Sequence, residues 1–293
     1  MSQLYEALRR SEREHRLSGV IPPEATNRVD VLSNVEAKLV DIDSAPSLAV
    51  EASAVSRLVA LKDTRSLGAE KFRALATRMQ NIRKQRVLKS VQVTSSVVNE
   101  GKTLVAANLA VTFAKYSGYK TLLIGGDLHR PTLASLFGLS GLRGVNDWWS
   151  GPDKTISHFL NQLDDLPLWF LPAGDASDQP SEILQSPRLA EAFAQLAAWF
   201  DWIVVDSTPM LPIVDVNLWS RLVDGTLLIV REGVTPVNAL KKGLQALDNL
   251  KLVGVVLNEA TEFDQLDYDG QCYGGMESQA KQIQKPSSRG VVF

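Results

Sequence analysis

The stretch Thr94-Ser-Ser-Val-Val-Asn-Glu-Gly-Lys-Thr103 follows the apolar run 87–93 and leads into a helical pattern over 103–116. A strand, a loop, Gly-Lys-Thr and a helix form the order of a phosphate-binding loop, whose backbone N–H groups and helix N-terminus face the anion. In such a loop the lysine reaches the β- and γ-phosphates and the Ser/Thr hydroxyl holds magnesium. Lys102 and Thr103 occupy these positions. Ser96 replaces the first glycine of the G-x-x-x-x-G-K-[ST] pattern, so a solvated Gly-Lys turn remains the alternative.

The chain beyond this stretch alternates short apolar runs with helical patterns. Strands are predicted at 87–93, 120–125, 167–172, 202–206, 225–231 and 252–257. Helices are predicted at 66–85, 103–116, 187–200 and 236–250. Near-continuous apolar strands separated by helices predict a mostly parallel sheet with helices on both faces, the three-layer α/β sandwich of P-loop NTPases. Ligands of such sheets bind beyond the carboxyl ends of the strands.

Composition excludes several classes of function. The chain has 293 residues, with 45% hydrophobic and 22% charged residues, which is ordinary for a globular protein. Its formal net charge of −2 gives no reason to expect nucleic acid as a partner. The single cysteine, Cys272, rules out a disulfide framework and an all-cysteine metal site. The three scattered histidines argue against a histidine-based metal site.

The chain is predicted to have four parts. Residues 1–16 read as an amphipathic helix, 17–64 as a largely irregular linker, 65–260 as the P-loop domain and 261–293 as a flexible tail. The charged N-terminus has no apolar core of the signal-peptide type. No stretch approaches the roughly 18–20 apolar residues that span a bilayer. We therefore expect a cytoplasmic protein with no membrane span of its own.

Two further strand ends carry an aspartate. Asp127 follows the run Thr121-Leu-Leu-Ile-Gly-Gly, and Asp206 closes Trp202-Ile-Val-Val-Asp206, which is the Walker B pattern. Each aspartate could hold magnesium or its water shell. Asp127 could equally be a helix N-cap, and Asp206 a turn residue before Pro209. The combination of a lysine, a hydroxyl and two carboxylates at neighbouring strand ends favours a site for a magnesium nucleotide.

Several segments in order resemble the cytoplasmic kinase domain of bacterial tyrosine autokinases of capsule and exopolysaccharide synthesis, the CpsD/CapB type. The resemblance covers about residues 66–260. The chain is thereby identified as a member of the deviant P-loop class that also contains septum-placing and plasmid-partition ATPases. The segments that carry it are TSSVVNEGKTLVAANLAVTFA, TLLIGGDLHRPTLASLFGL, QPSEILQSPRL, WIVVDSTPMLPIVDVNLWSRLVDGTLLIVREG and LVGVVLNEA.

The resemblance implies ATP and Mg²⁺ as ligands and assigns roles to residues. Lys102, Asp127 and Asp206 would act in catalysis, and Thr103, Asp127 and Asp206 would bind Mg²⁺. Asn258 lies where a strand-end asparagine reaches the base. The nucleotide would contact Ser96, Val97, Asn99, Glu100, Gly101, Lys102, Thr103, Leu104 and Asn258.

The resemblance also implies partners. Members form rings, phosphorylate tyrosines in a neighbour's C-terminal tail, and are switched on by a membrane adaptor that helps to set polysaccharide chain length. We therefore expect recruitment to the inner face of the membrane by such an adaptor. Glu70 and Arg73 match part of the oligomer motif E-x-x-R-x-x-R, although an exposed helical ion pair is the alternative. The candidate phosphoacceptors are Tyr268 and Tyr273, which would otherwise be ordinary loop tyrosines.

The sequence departs from the family pattern in two motifs. The usual Pro-Gly of the loop is Val98-Asn99. The D-x-D-x-R motif reads Gly125-Gly126-Asp127-Leu128-His129, so both its first carboxylate and its arginine are replaced. The missing carboxylate helps to activate the tyrosine hydroxyl, whose ordinary pKa is about 10. An aspartate introduced at position 125 is accordingly expected to raise kinase activity.

Three functions follow from these observations. The first is a tyrosine autokinase that transfers the γ-phosphate of ATP to Tyr268 or Tyr273 of a neighbour. The second is a kinase-deficient ATP-dependent switch or scaffold that binds a polysaccharide chain-length regulator, which Gly125 and the tyrosine-poor tail favour. The third is a structural partner with an inactive site, against which Gly101-Lys102-Thr103 and Asp206 argue. A dinucleotide oxidoreductase does not fit, because no G-x-G-x-x-G follows a strand.

Overall fold

A computed structural model describes residues 42, 45–50, 57–152, 155–211, 215–247, 251–260 and 290–292. The predicted N-terminal helix over 1–16 and both candidate phosphoacceptors, Tyr268 and Tyr273, lie outside these residues. Within the described part of the chain, no helix combines the length and the apolar character that crossing a membrane requires.

The strands of the described residues form a single sheet in the order β1-β4-β5-β3-β6-β2-β7-β8-β9. The six strands from β5 to β8 are parallel to one another, as the sequence predicts, whereas β4 and β9 pair antiparallel with their inner neighbours. The strands are β1 Ser47–Leu48, β2 Ser90–Ser95, β3 Thr121–Gly125, β4 Asn161–Leu163, β5 Leu168–Leu171, β6 Trp202–Asp206, β7 Gly225–Arg231, β8 Leu252–Ala260 and β9 Gly290–Val292.

Helices cover both faces of this sheet, and a short 3-10 helix spans Ile156–Phe159. The two longest helices, Leu67–Arg83 and Lys102–Ser117, each follow a residue that is typical of a helix start. The hydroxyl of Ser66 accepts a hydrogen bond from Ala69 N at the start of the first helix, and Gly101 precedes the second. The α-helices are α1 Val59–Lys62, α2 Leu67–Arg83, α3 Lys102–Ser117, α4 Leu133–Leu136, α5 Val145–Ser150, α6 Pro180–Gln185, α7 Pro187–Trp199, α8 Asp215–Leu222 and α9 Val237–Ala246.

The core lies in two layers on either side of the central strands. On one face α3 packs against β6, where the rings of Phe113 and Trp202 stack with centroids 4.2 Å apart and planes 7° apart. On the other face Phe193 of α7 and Trp219 of α8 meet, with ring centroids 6.4 Å apart. Aromatic pairs of this kind add about 0.5–1.5 kcal/mol beyond the area they bury. The helices are thereby fixed against the strands whose ends carry the candidate site.

Strand register brings the predicted site residues to one edge of the sheet. Asp206 on β6 is the register partner of Val93 on β2 and of Gly125 on β3. The carboxyl ends of β3, β6 and β2 therefore lie side by side, as parallel pairing requires. This is the edge at which the sequence predicts the ligand.

The folded domain extends further toward both termini than predicted. Residues 17–64 were expected to be a largely irregular linker, yet Leu58 and Ala60 are fully buried, and α1 is held by Asn108, whose Oδ1 accepts from Ala60 N at 3.0 Å. The tail expected to be flexible from 261 onward contributes β9, which pairs with β8. An unpaired strand edge exposes backbone N–H and C=O groups, and β9 supplies partners for those of β8.

Candidate active site

The loop between β2 and α3 has the backbone shape that a phosphate-binding loop needs. Asn99 has φ 64° and Gly101 has φ 94°, both in the left-handed region. Asparagine is among the few residues with a side chain that visit this region. Asn99 therefore adopts the conformation for which the family has glycine, and the replaced glycine does not prevent the turn.

Gly101 is required because Asn258 lies directly against it. A Cβ atom at position 101 would approach Asn258 Nδ2 to 2.2 Å. Asn258 is 6% exposed; its Nδ2 donates to Glu100 O at 2.8 Å and its Oδ1 accepts from Glu259 N at 3.0 Å. The resemblance assigns this side chain to the base, whereas in the structure both its polar ends bind backbone and fix the phosphate loop.

Glu100 is a second clamp on the same loop. Its side chain is fully buried, accepts from Val97 N at 2.9 Å, and accepts the hydroxyl hydrogen of Thr235. Arg231 at the end of β7 donates to Asn99 O at 3.3 Å. These contacts close the loop from the β7 side, so the side chain of Glu100 shapes the loop, and a contact of its backbone with the nucleotide stays a prediction.

Four predicted side chains converge at the end of the loop. Lys102 Nζ lies 3.3 Å from Asp127 Oδ2, 3.6 Å from Asp206 Oδ1 and 3.2 Å from Thr103 Oγ1. The lysine and both aspartates are largely shielded from solvent, with side-chain exposures of 11%, 12% and 2%. Three strand ends thus supply one lysine, one hydroxyl and two carboxylates within a single cluster.

Asp206 is strongly affected by its burial. Desolvation raises the pKa of Asp206 to about 6, against the opposing effects of the Lys102 ammonium and the Thr103 hydroxyl. Asp206 Oδ1 has no hydrogen-bond partner among the described residues, since 3.6 Å to Lys102 Nζ is an ion-pair distance too long for a hydrogen bond. A buried carboxylate oxygen without a donor is suited to a cation, and magnesium takes one or two carboxylates in nucleotide sites.

Asp127 contacts both the turn after β3 and the lysine of the cluster, and its role as a magnesium ligand stays a prediction. Its Oδ1 accepts from Arg130 N at 3.0 Å, which makes it the cap of the turn after β3. Its Oδ2 faces Lys102. The same side chain therefore fixes the turn and contributes charge to the cluster.

The structure corrects the expectation for position 125. A Cβ atom at Gly125 would approach Ala173 N, in the neighbouring chain segment after β5, to 2.9 Å. An aspartate at 125 therefore requires the backbone to shift, and it is not a simple restoration of a missing carboxylate. His129, in the place of the family arginine, lies 3.0 Å from the buried Asp215 and so contacts α8.

The remaining predicted residues lie in the loop, on α3 and on α2. Ser96 is fully buried, and its Oγ has no hydrogen-bond partner among the described residues. Leu104 is partly buried against the core and supports α3. Glu70 and Arg73 form the i,i+3 ion pair on α2, and Arg73 also donates to Thr64 O at 2.8 Å and covers the ring of Tyr116. The alternative of a helical ion pair is thus present, and the oligomer interface stays a prediction.

Three residues that hold the loop were not predicted as part of the site. Thr235, Arg231 and Glu259 lie more than 130 residues from it along the chain. Arg231 Nε donates to Glu259 at 2.7 Å, which ties the ends of β7 and β8 together behind the loop. A position at the end of a predicted strand was the one available signal for Arg231 and Glu259.

Comparisons with known proteins agree with this geometry. No protein-family model matches the chain. The tyrosine-protein kinase YwqD of Bacillus subtilis (strain 168) is 30% identical over 203 residues, which cover 69% of this chain and 85% of YwqD. The succinoglycan biosynthesis transport protein ExoP of Rhizobium meliloti (strain 1021) is 32% identical over 74% of this chain and 28% of ExoP. The crystal structure of the chimerical protein CapA2B2 has a TM-score of 0.63 and 26% identity, covering 72% of this chain and 92% of that one.

The match to YwqD includes most of the length of that kinase, and the match to CapA2B2 includes most of that structure. Both agree with the motifs from which the family was predicted. The chain belongs to the family of bacterial tyrosine-protein kinases of the CpsD/CapB type, which serve capsule and exopolysaccharide synthesis.

Proposed function

We propose that this kinase binds ATP with Mg²⁺ at the cluster around Lys102 and transfers the γ-phosphoryl group to Tyr268 and Tyr273 of a neighbouring copy. The observation that carries the proposal is the convergence of Lys102, Thr103 and Asp206 at the end of a phosphate-binding loop. Phosphoryl transfer depends mainly on positioning and on stabilisation of charge. The cluster provides both without a covalent intermediate.

Different residues of the site would bind the phosphates and the Mg²⁺ ion. Backbone N–H groups of the loop and the N-terminus of α3 would face the phosphates, with Asn99 and Gly101 giving the loop its curvature. Lys102 would turn from Asp206 toward the β- and γ-phosphates, and Asp127 would remain its partner. Thr103 and Asp206 would hold Mg²⁺, which when bound supplies positive charge to the phosphate oxygens.

We also propose that the protein docks to a membrane adaptor of the chain-length-regulator type and acts in polysaccharide export. Support comes from ExoP, a transport protein of succinoglycan biosynthesis. The part of ExoP that matches this protein is 28% of the length of ExoP. In that relative the kinase-like part is joined to further sequence, and here an adaptor would provide the connection. Ring formation through Glu70 and Arg73 of α2 belongs to the same proposal, because it would bring a neighbour's tail to the site.

A second function, an ATP-dependent switch without tyrosine transfer, is favoured by one observation. Gly125 has no side chain that could act as a base, and the backbone of Ala173 lies so close that a side chain there would require a shift. The second candidate predicts nucleotide binding and hydrolysis without phosphotyrosine. It shares the ATP site with the first and differs in the acceptor.

Incubation of the purified chain with ATP labelled in its γ-phosphate, followed by phosphosite mapping, separates the two functions. We expect label on Tyr268 or Tyr273 that disappears in Lys102→Ala. Lys241→Ala, which removes an exposed lysine of α9, is the matched control and should label normally. ATP hydrolysis without labelled tyrosine would establish the switch in place of the kinase.

A further inference from the structure

A cleft opens beside the Lys102 cluster, on the side of the sheet where β3 and β5 end. Its floor includes Gly125, Asp127 and Asp206, and its walls include the apolar side chains of Leu139 and Leu142. An apolar wall above a charged floor suits an aromatic ring that carries a polar group. The cleft therefore offers room for an acceptor next to the phosphate-binding cluster.

The rim of this cleft is a segment after β5 that is fixed by its backbone. Val145 N donates to Pro172 O at 3.0 Å, and Asn146 N donates to Ala173 O at 2.8 Å. Asn146 Nδ2 donates to Asp175 O at 2.5 Å. These bonds from the start of α5 hold the segment against Gly125, where only glycine leaves space for it.

Asp175 is the carboxylate that this segment presents to the cleft. Its carboxylate is exposed, lines the cleft, and makes no hydrogen bond or ion pair with the described residues. The two carboxylates of the floor, Asp127 and Asp206, both face Lys102. Of the three aspartates that line the cleft, Asp175 is the one whose carboxylate has no partner among the described residues.

A tyrosine hydroxyl needs a proton acceptor because its ordinary pKa is about 10. We propose that Asp175 accepts the hydroxyl proton of the acceptor tyrosine in this cleft, a role that rests on the proposed kinase function. In the step, a bond forms between the phenol oxygen and the γ-phosphorus, and the bond from that phosphorus to the β,γ-bridging oxygen breaks. The electron pair leaves with ADP, and the phenol proton moves to the Asp175 carboxylate.

A base at Asp175 would compensate for the carboxylate that is missing at position 125. The space beside Gly125 is filled by the segment that carries Asp175. The carboxylate that the family has at position 125 would thus be replaced by that of Asp175, which follows the adjacent strand β5. A positioned base contributes roughly 100-fold or more to such a transfer. The loss of Asp175 should therefore be visible in the rate of transfer and not in nucleotide binding.

The test compares full-length wild type with Asp175→Asn, Asp175→Glu and the control Asp178→Asn. Asp178 is an exposed aspartate three residues further along, outside the cleft. The readouts are the dissociation constant for ATP, the melting temperature, and the rate of tyrosine phosphorylation between pH 5.5 and 9 (roughly the range over which a carboxylate base is ionised).

We expect Asp175→Asn to lower the rate about 100-fold at neutral pH, with ATP affinity and melting temperature within experimental error of wild type. Between pH 7 and 9, where Asp206 with its pKa of about 6 is ionised in every variant, the remaining rate should climb with pH as phenolate forms, whereas the wild-type rate should be flat. Asp175→Glu should recover part of the rate, and Asp178→Asn should match wild type. If Asp175→Asn phosphorylates tyrosine with the rate and pH dependence of wild type, the role of Asp175 is overturned and the kinase function stands. If wild type phosphorylates no tyrosine, both the role of Asp175 and the proposed kinase function are overturned.

Discussion

At the residue scale, Asn99 is the side chain on which the shape of the phosphate loop depends. Its φ of 64° costs an ordinary L-residue roughly 1–2 kcal/mol. We therefore expect Asn99→Ala to weaken ATP binding about tenfold, because the loop must adopt this conformation to present its N–H groups. Asn99→Gly should bind ATP as wild type does. Titration of both variants by calorimetry checks the expectation, and equal affinities for Ala and Gly would show that the turn is unimportant.

Asp206 should lower the stability of the protein as pH rises. Its folded pKa of about 6 lies above the ordinary value of 3.8, so the folded state holds this proton more tightly than the unfolded state. The contribution of the carboxyl to stability is therefore present below about pH 4 and is lost as pH rises to about 6. Asp206→Asn carries no charge and avoids this loss.

We expect Asp206→Asn to be more stable than wild type by about 3 kcal/mol at pH 7.5, without nucleotide. The difference should shrink toward zero as pH falls to 4. Urea denaturation of both proteins at pH 4, 5, 6 and 7.5 measures it. An asparagine variant that is less stable than wild type at pH 7.5 would mean that the Lys102 ion pair outweighs the burial of the charge.

At the scale of elements, the close approach of β3 to β6 sets the position of the Walker B aspartate. A Cβ atom at Gly126 would lie 2.6 Å from Val205 Cγ1 and 3.0 Å from Asp206 O. Gly126→Ala should therefore lower the free energy of unfolding by about 1–3 kcal/mol. Gly254→Ala is the control in another strand, where the nearest atom lies at 3.8 Å. Thermal melts of the two should differ by several degrees; equal melts would show that β3 adapts at no cost.

The long elements of this fold could be predicted from the sequence, and the short ones could not. The six parallel strands and the helices α2, α3, α7 and α9 gave clear periodicity, with ends displaced by a few residues. Val87, expected inside the first strand, is 80% exposed, because β2 begins only at Ser90. Helices such as α4, with four residues, span barely one turn and give no amphipathic period. The edge strands β1 and β9, of two and three residues, depend on pairing with distant partners.

At the scale of the whole molecule, the site is assembled from residues that only the fold brings together. Lys102, Thr103, Asp127 and Asp206 were predicted because each sits in a local motif at a strand end. The contact between Arg231 and Glu259 was missed because a position at the end of a predicted strand, without a motif around it, does not indicate what the side chain binds. Glu259 also binds Arg57 at 2.9 Å, which connects the segment before α1 to the same strand end. The loop is therefore held by contacts that range over 200 residues of chain.

For the whole molecule, we propose that three strand ends form a single site for ATP and Mg²⁺. Calorimetric titration of ATP into wild type, Lys102→Ala and the control Lys241→Ala, each with Mg²⁺ and with EDTA, tests it most directly. We expect wild type and Lys241→Ala to bind ATP with Mg²⁺ and to lose affinity in EDTA. Lys102→Ala should bind at least about tenfold more weakly, since a hydrogen bond to a charged group contributes roughly 1.5–3 kcal/mol. Equal affinity of wild type and Lys102→Ala, unaffected by EDTA, would contradict the claim.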